Sequence, residues 1–496
     1  MSLAEPMRKD EPTKPSRATR IEQWCAAGLL ALCLAIGVYT LSDYSANWMH
    51  PEIYLAEQRH APDIESMGLS SKAFHIARFA DCHTLSDNCN RTRLMSYYVG
   101  YLNPFFRLWL EKYIAPHPSV SLTWLFSIAT LFFLYRLVRN LTGDRSAALL
   151  TTALYSLSAG FLSVMVMLFN PAKPLASFFV CCGLYVAGLV VRGNLPWQAP
   201  LSWLLYVIIT LGLFSDETAW LLPLYIVILF PAFLQRVRWP NTLCMFLTIP
   251  FFLGFVTWEL PILARFIWRY DFVNLWGMAP MQEGLYVAQD KAALILKLLS
   301  GMSSIAYNMF NSEFAWWQSG TLIAVVSFLL LAIGIAVSAQ YGRRDARYLL
   351  ARTVLLLIVV SGFQCAVMAQ TDTAAGTYYY DNLFPLFGVL VIGASFACLR
   401  GYNIARGFAV AVCIYLGYVS FTWFLSANRE WIAGHELWYG RLVGEQFGPQ
   451  HTPLSEAKVA ALWRQASAGA DVSSEAPKFA PKDVWLFQEM DILRHR

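Results

Sequence analysis

Apolar stretches long enough to cross a bilayer recur along most of this 496-residue chain, and nothing else in the sequence limits its fold so severely. They lie near 24–41, 119–138, 147–167, 174–191, 201–214 and 219–234, then near 241–258, 321–340, 349–369, 383–399 and 407–426. A chain in hydrocarbon must satisfy its own backbone N–H and C=O groups, and a helix does so within one segment. The pattern therefore predicts an all-α fold, a polytopic membrane bundle of about eleven transmembrane helices. The 201–214 stretch is short for a span and predicts a tilted or partly buried helix. Composition agrees, because 57% hydrophobic and 14% charged residues exclude an ordinary soluble domain. The 18 Trp and 24 Tyr suit aromatic belts at two membrane interfaces.

Charge placement orients the bundle. With the N-terminus in the cytoplasm, the short inner loops carry Arg136, Arg139 and Arg145, then Arg192, Arg236 and Arg238, then Arg343, Arg344 and Arg347, and last Arg400 and Arg406. The short outer loops, around Asn170, Asp216 and Asp381, carry only Lys173, which is the positive-inside pattern. The chain then divides into a cytoplasmic tail (1–23), a transmembrane module (24–426) with extracytoplasmic loops at 42–118 and 259–320, and a small extracytoplasmic C-terminal region (427–496). The first apolar run follows a long N-terminal region of mixed charge and lacks a small-x-small site after it. It reads as a retained span, the alternative being a cleaved signal.

In the first outer loop, Leu94 to Leu110 reads as a helix lying on or dipping into the interface. Cys82 and Cys89 are separated by a polar run that can turn back on itself, so an oxidising compartment favours a disulfide between them. Zinc, recruiting His83 and His75, is the alternative, although Cys-x6-Cys is not a finger spacing. Most other cysteines, such as Cys33, Cys181, Cys182 and Cys413, fall in spans as small apolar residues.

The chain has no P-loop, no His-Glu-x-x-His and no Gly-x-Ser-x-Gly, which leaves nucleotide-driven, zinc-hydrolase and serine-hydrolase chemistry without an anchor. What remains is a set of carboxylates at the outer membrane surface. Asp43 follows the first span, Glu52 lies in the same loop, and Asp216 and Glu217 occupy a very short turn. A partly desolvated carboxylate has the raised proton affinity a general base needs. Each also has a plainer reading. Asp43 can simply end a span, and Asp216 and Glu217 can stabilise the positive end of a helix starting at Thr218 with Ser215 as its N-cap.

The run Leu211-Gly-Leu-Phe-Ser-Asp-Glu-Thr-Ala-Trp-Leu-Leu-Pro-Leu-Tyr resembles the apolar-Ser-Lys-Glu-Thr-apolar-Pro element of GT-C superfamily glycosyltransferases, with Asp216 at the place of the common Lys. Asp43, Arg93 before Leu-Met-Ser-Tyr-Tyr, the Arg139-Asn-Leu-Thr-Gly-Asp-Arg-Ser turn and Tyr378-Tyr-Tyr-Asp-Asn-Leu-Phe-Pro resemble further elements of that family in the same order. The resemblance covers roughly residues 24 to 400. It implies an enzyme that moves a sugar from a polyprenyl-phosphate donor to a hydroxyl on a lipid, glycan or protein acceptor, at the periplasmic face of a bacterial inner membrane. Asp43 would be the base, with Glu52, Glu217 and Asp216 as further carboxylate candidates. Arg93, Arg265 and Arg269 would hold the lipid phosphate; the last two, four apart, share a helix face, and interfacial snorkelling is their plainer reading. Membrane lipids are expected partners and nucleic acid is not. No cofactor is fixed by the sequence, a divalent metal being the one left open. The other function classes are a lipid-linked glycan transporter or flippase, and a glycan polymerase or ligase.

Overall fold

The computed structural model describes residues 94–113, 122–158, 160–162, 172–196, 198–216, 219, 221–233, 344–369, 383–418 and 420–422, with isolated helical positions at 28, 31, 334, 336, 337 and 340. Of the described part, 89% is helical and no residue lies in a strand, which is the all-α fold expected. The helices are α1 (Leu94–Tyr113), α2 (Leu122–Thr142), α3 (Arg145–Ser156), α4 (Ala172–Gly193) and α5 (Pro200–Leu213). After these come α6 (Leu222–Leu229), α7 (Arg344–Ala369), α8 (Leu383–Cys398) and α9 (Asn403–Thr422). Among the described residues, α2, α4 and α9 are long and apolar enough to cross a membrane.

α4 forms the centre. It is buried along most of its length and packs against α2 and α5. An aromatic seam joins α4 to α2, with Phe178 meeting Phe126 at 5.3 Å and Phe133 at 5.7 Å between ring centroids, both edge-on. α8 lies between α3 and α7, and its Phe387 meets Tyr225 of α6 edge-on at 4.9 Å. The helices approach closely where side chains are absent. A Cβ on Gly393 of α8 would come within 2.4 Å of the Thr151 hydroxyl on α3, and one on Gly183 of α4 within 2.9 Å of Leu222. Between apolar helices in lipid such close packing carries the association, because hydrocarbon gives no hydrophobic drive.

Buried hydroxyls are handled inside each helix. Thr151 and Thr152 donate to the carbonyls of Ala147 and Ala148, and Thr130, Thr210 and Ser361 likewise reach back four residues. The outer faces carry exposed apolar side chains, among them Phe132, Val207, Ile358 and Ile414, as lipid contact requires.

Two expected spans are interrupted. The 147–167 stretch holds α3 only to Ser156, and a new helical turn starts at residue 160. Ser158 makes the break by donating to Tyr155 O at 2.7 Å and accepting from Phe161 N–H at 3.3 Å, so its hydroxyl satisfies the backbone groups the interruption frees. The 219–234 stretch holds an α-helix of eight residues that stops at Phe230, because Pro231 disfavours helical geometry in the residue before it. The Leu229 carbonyl accepts from Arg352 Nη1 of α7 at 3.5 Å. The short 201–214 stretch is the half-buried helix α5, as its length suggested. The 24–41, 241–258 and 321–340 stretches lie mostly or wholly outside the described residues, as does the 427–496 region.

Candidate functional site

Among the described residues the helix ends gather into two clusters, one rich in arginine and one nearly free of cations. At the arginine-poor end, α5 closes at Phe214 and runs into Ser215 and Asp216, both fully buried. Ser215 turns its hydroxyl back to the Leu211 carbonyl at 2.7 Å, prolonging the helix it follows. The next α-helix begins at Leu222, four residues after the expected Thr218, so the observed bond of Ser215 belongs to α5 and not to an N-cap of α6. Asp216 O accepts from Ala219 N–H at 3.0 Å, which draws Ala219 back towards the end of α5. Gly212 makes room for it, with Phe179 and Ala219 both within 4 Å of where a Cβ would be.

Against Asp216 comes Lys173, the second residue of α4, only 6% exposed. Its Nζ lies 3.0 Å from each carboxylate oxygen of Asp216. A cation in the first turn of a helix opposes the helix dipole, and a buried one is costly unless matched. Asp216 answers both problems with one charge. The third participant is α1. Its first-turn Met95 N–H, which has no partner inside its own helix, donates to Phe214 O at 2.8 Å. Three segments far apart in sequence therefore meet at Phe214–Asp216.

A second ion pair closes the arginine-rich end. Asp144 caps α3, its Oδ1 accepting from Ser146 N–H at 2.9 Å and Ala147 N–H at 3.2 Å. Its Oδ2 accepts from Arg406 Nη2 of α9 at 2.6 Å, while the guanidinium lies 4.2 Å from the centre of the Phe396 ring. Gly143, at φ +66°, supplies the left-handed turn between α2 and α3. Nearby, Arg192 donates to the Asn140 carbonyl, tying α4 to the end of α2.

Of the residues singled out by sequence, Asp216 is described. Asp43, Glu52, Arg93, Glu217, Arg265, Arg269, Cys82 and Cys89 lie outside the described residues. Lys173, Asp144 and Arg406 are interactions that sequence reasoning did not assign. The signal for Lys173 was its isolation as the one cation of the short outer loops, and for Asp144 its place before an apolar helical run. Cys181, Cys182 and Cys413 are buried free thiols, in keeping with their reading as small apolar residues. Among the described residues no three His, Cys, Asp or Glu side chains cluster as metal ligands. Comparison of the chain with protein-family models, with curated proteins and with solved structures finds no match in any of the three.

Proposed function

We propose that the chain is a multi-pass membrane glycosyltransferase of the GT-C type, spanning a bacterial inner membrane about eleven times with its active site facing the periplasm. It moves a sugar from a polyprenyl-phosphate donor to a hydroxyl acceptor. The observation that carries the reading is the junction at Phe214–Asp216, the middle of the motif most like that family, where α1, α4 and α5 are held at the arginine-poor end. Arg93 precedes Met95 by two residues and Glu217 follows Phe214 by three, so two of the sequence-named residues are chain neighbours of one hydrogen bond.

In this reading an acceptor hydroxyl attacks the anomeric carbon, the bond from that carbon to the phosphate oxygen breaks, and the hydroxyl proton passes to Asp43 or, second, Glu52. Arg93, Arg265 and Arg269 hold the departing lipid phosphate, whose negative charge grows at the transition state. Asp216, closed in by Lys173, is given a positioning part: it anchors the chain immediately before Glu217. The disulfide between Cys82 and Cys89 is part of the same proposal.

A second reading has an observation in its favour. Interrupted helices at Ser158 and at Phe230–Pro231 are the type of feature that transporters use near the middle of the membrane, so a lipid-linked glycan flippase remains the rival. Purified protein given a polyprenyl-phosphate sugar radiolabelled in the sugar separates them. Release of unsugared polyprenyl phosphate with label on the acceptor supports the transferase, and transbilayer movement of intact donor without bond cleavage supports the flippase.

A further inference from the structure

We propose that the arginine-rich end, where α7 meets the turn between α8 and α9, is a docking surface for the phosphate headgroup of an anionic phospholipid. The proposal is independent of the glycosyltransferase reading and needs only that these helices be embedded in a bilayer.

α7 and α8 run side by side, with Ala346, Leu349 and Leu350 packed on Val391, Ala394 and Cys398. This brings the first turn of α7, with Arg344 and Arg347, to the same end as Arg400 in the turn after α8. All three arginines are exposed. From 344 to 369 and from 399 to 422 the only carboxylate is Asp345, against five arginines, and Arg406 is already committed to Asp144. Two arginines at a helix N-terminus add to its dipole rather than offset it, so this corner gains from an anion.

The surroundings distinguish a lipid from a soluble ion. Tyr402, Ile404 and Phe408 follow Arg400 and are 49%, 92% and 60% exposed. An isoleucine almost wholly exposed four residues from an arginine suits a place where phosphate and acyl chain adjoin. Arg344 lies over the Tyr348 ring at 5.8 Å, presenting a charged head above an aromatic of the interfacial type. Headgroup phosphate would meet Arg347 and Arg400 while Ile404 and Phe408 enter the acyl region.

The test uses the full chain purified in a neutral detergent and titrated with phosphatidylglycerol or with phosphatidylcholine of identical acyl chains. Bound lipid is counted by native mass spectrometry. The parent should hold phosphatidylglycerol about tenfold or more tightly than phosphatidylcholine, since each arginine that meets the bound headgroup contributes about fivefold to anionic lipid binding. Arg347→Gln with Arg400→Gln should remove most of that preference, Arg347→Lys with Arg400→Lys should keep a good part of it, and Arg136→Gln on α2 should leave it near the parental value. Ile404→Asn should weaken retention of both lipids alike, and millimolar inorganic phosphate should fail to displace bound phosphatidylglycerol. Equal retention of the two lipids by the parent, an undiminished preference in the glutamine pair, or ready displacement by inorganic phosphate would each overturn the proposal.

Discussion

Asp216 and Lys173 show how strongly one buried charge determines its neighbour. Removing either partner leaves the other charged group buried and unmatched, so Asp216→Leu and Lys173→Met should each cost about 3–5 kcal/mol. Lys173→Met with Asp216→Leu should recover much of that loss, since an apolar pair carries no desolvation penalty. Unfolding in detergent by thermal or chemical titration completes the double-mutant cycle; single and double variants that differ by nothing but additive sums would remove the pair from the structure of the bundle. At the other end Asp144 has two separable tasks. Asp144→Asn keeps a good N-cap and gives up the charge facing Arg406, whereas Asp144→Ala gives up both. The second should therefore be less stable than the first by about 1 kcal/mol in the same unfolding measurement. The sequence disclosed Asp216 through a motif and Asp144 through a resemblance to a loop. Their partners were hidden, because Lys173 and Arg406 reach them across 43 and 262 residues and no local pattern reports such distances.

At the scale of elements, the periodic apolar runs placed most helices, since long apolar runs in a chain of this composition leave the backbone few alternatives. α4 and α5 lie almost where the runs at 174–191 and 201–214 predict them. The interruptions escaped notice because hydropathy does not register a serine that caps a new turn or the residue before a proline. Both are competitions for backbone hydrogen bonds, and only Pro231 was visible as a breaker. Close helix approach was equally silent in the sequence. Gly393 is one of 29 glycines, and what sets it apart is Thr151 opposite, itself fully buried and bonded to Ala147 O. Gly393→Ala should cost about 1–3 kcal/mol by overpacking, and Thr151→Ala in the same chain should restore part of it. Unfolding midpoints of the two single variants and the pair check this; a harmless Gly393→Ala would show that α3 and α8 can separate at no cost.

For the whole molecule, the arrangement of helix ends matches the loop charges. Arg192, Arg344, Arg400 and Arg406 collect with the α2–α3 turn at one end, and Lys173 and Asp216 lie at the other. If the positive-inside reading holds, single cysteines introduced at exposed positions near Arg400 should react only with reagent reaching the cytoplasmic face. Cysteines in the 42–118 loop and near Trp485 should react only from the opposite face. Labelling of both groups from one side would reverse or break the proposed topology. Function was the least legible level, because the carboxylates and arginines that the resemblance names are scattered among polar loops without a periodic pattern. The decisive measurement is the initial rate of sugar transfer from radiolabelled polyprenyl-phosphate sugar by purified parent protein, Asp43→Asn and Glu217→Gln, each first shown to be folded. Asp43→Asn keeps shape and hydrogen-bonding capacity but removes the proton acceptor, so its rate should fall by about 100-fold to 10,000-fold with donor binding nearly unchanged. Parental transfer by Asp43→Asn would move the base to Glu52, and an active parent whose rate survives both Asp43→Asn and Glu52→Gln would contradict the carboxylate mechanism.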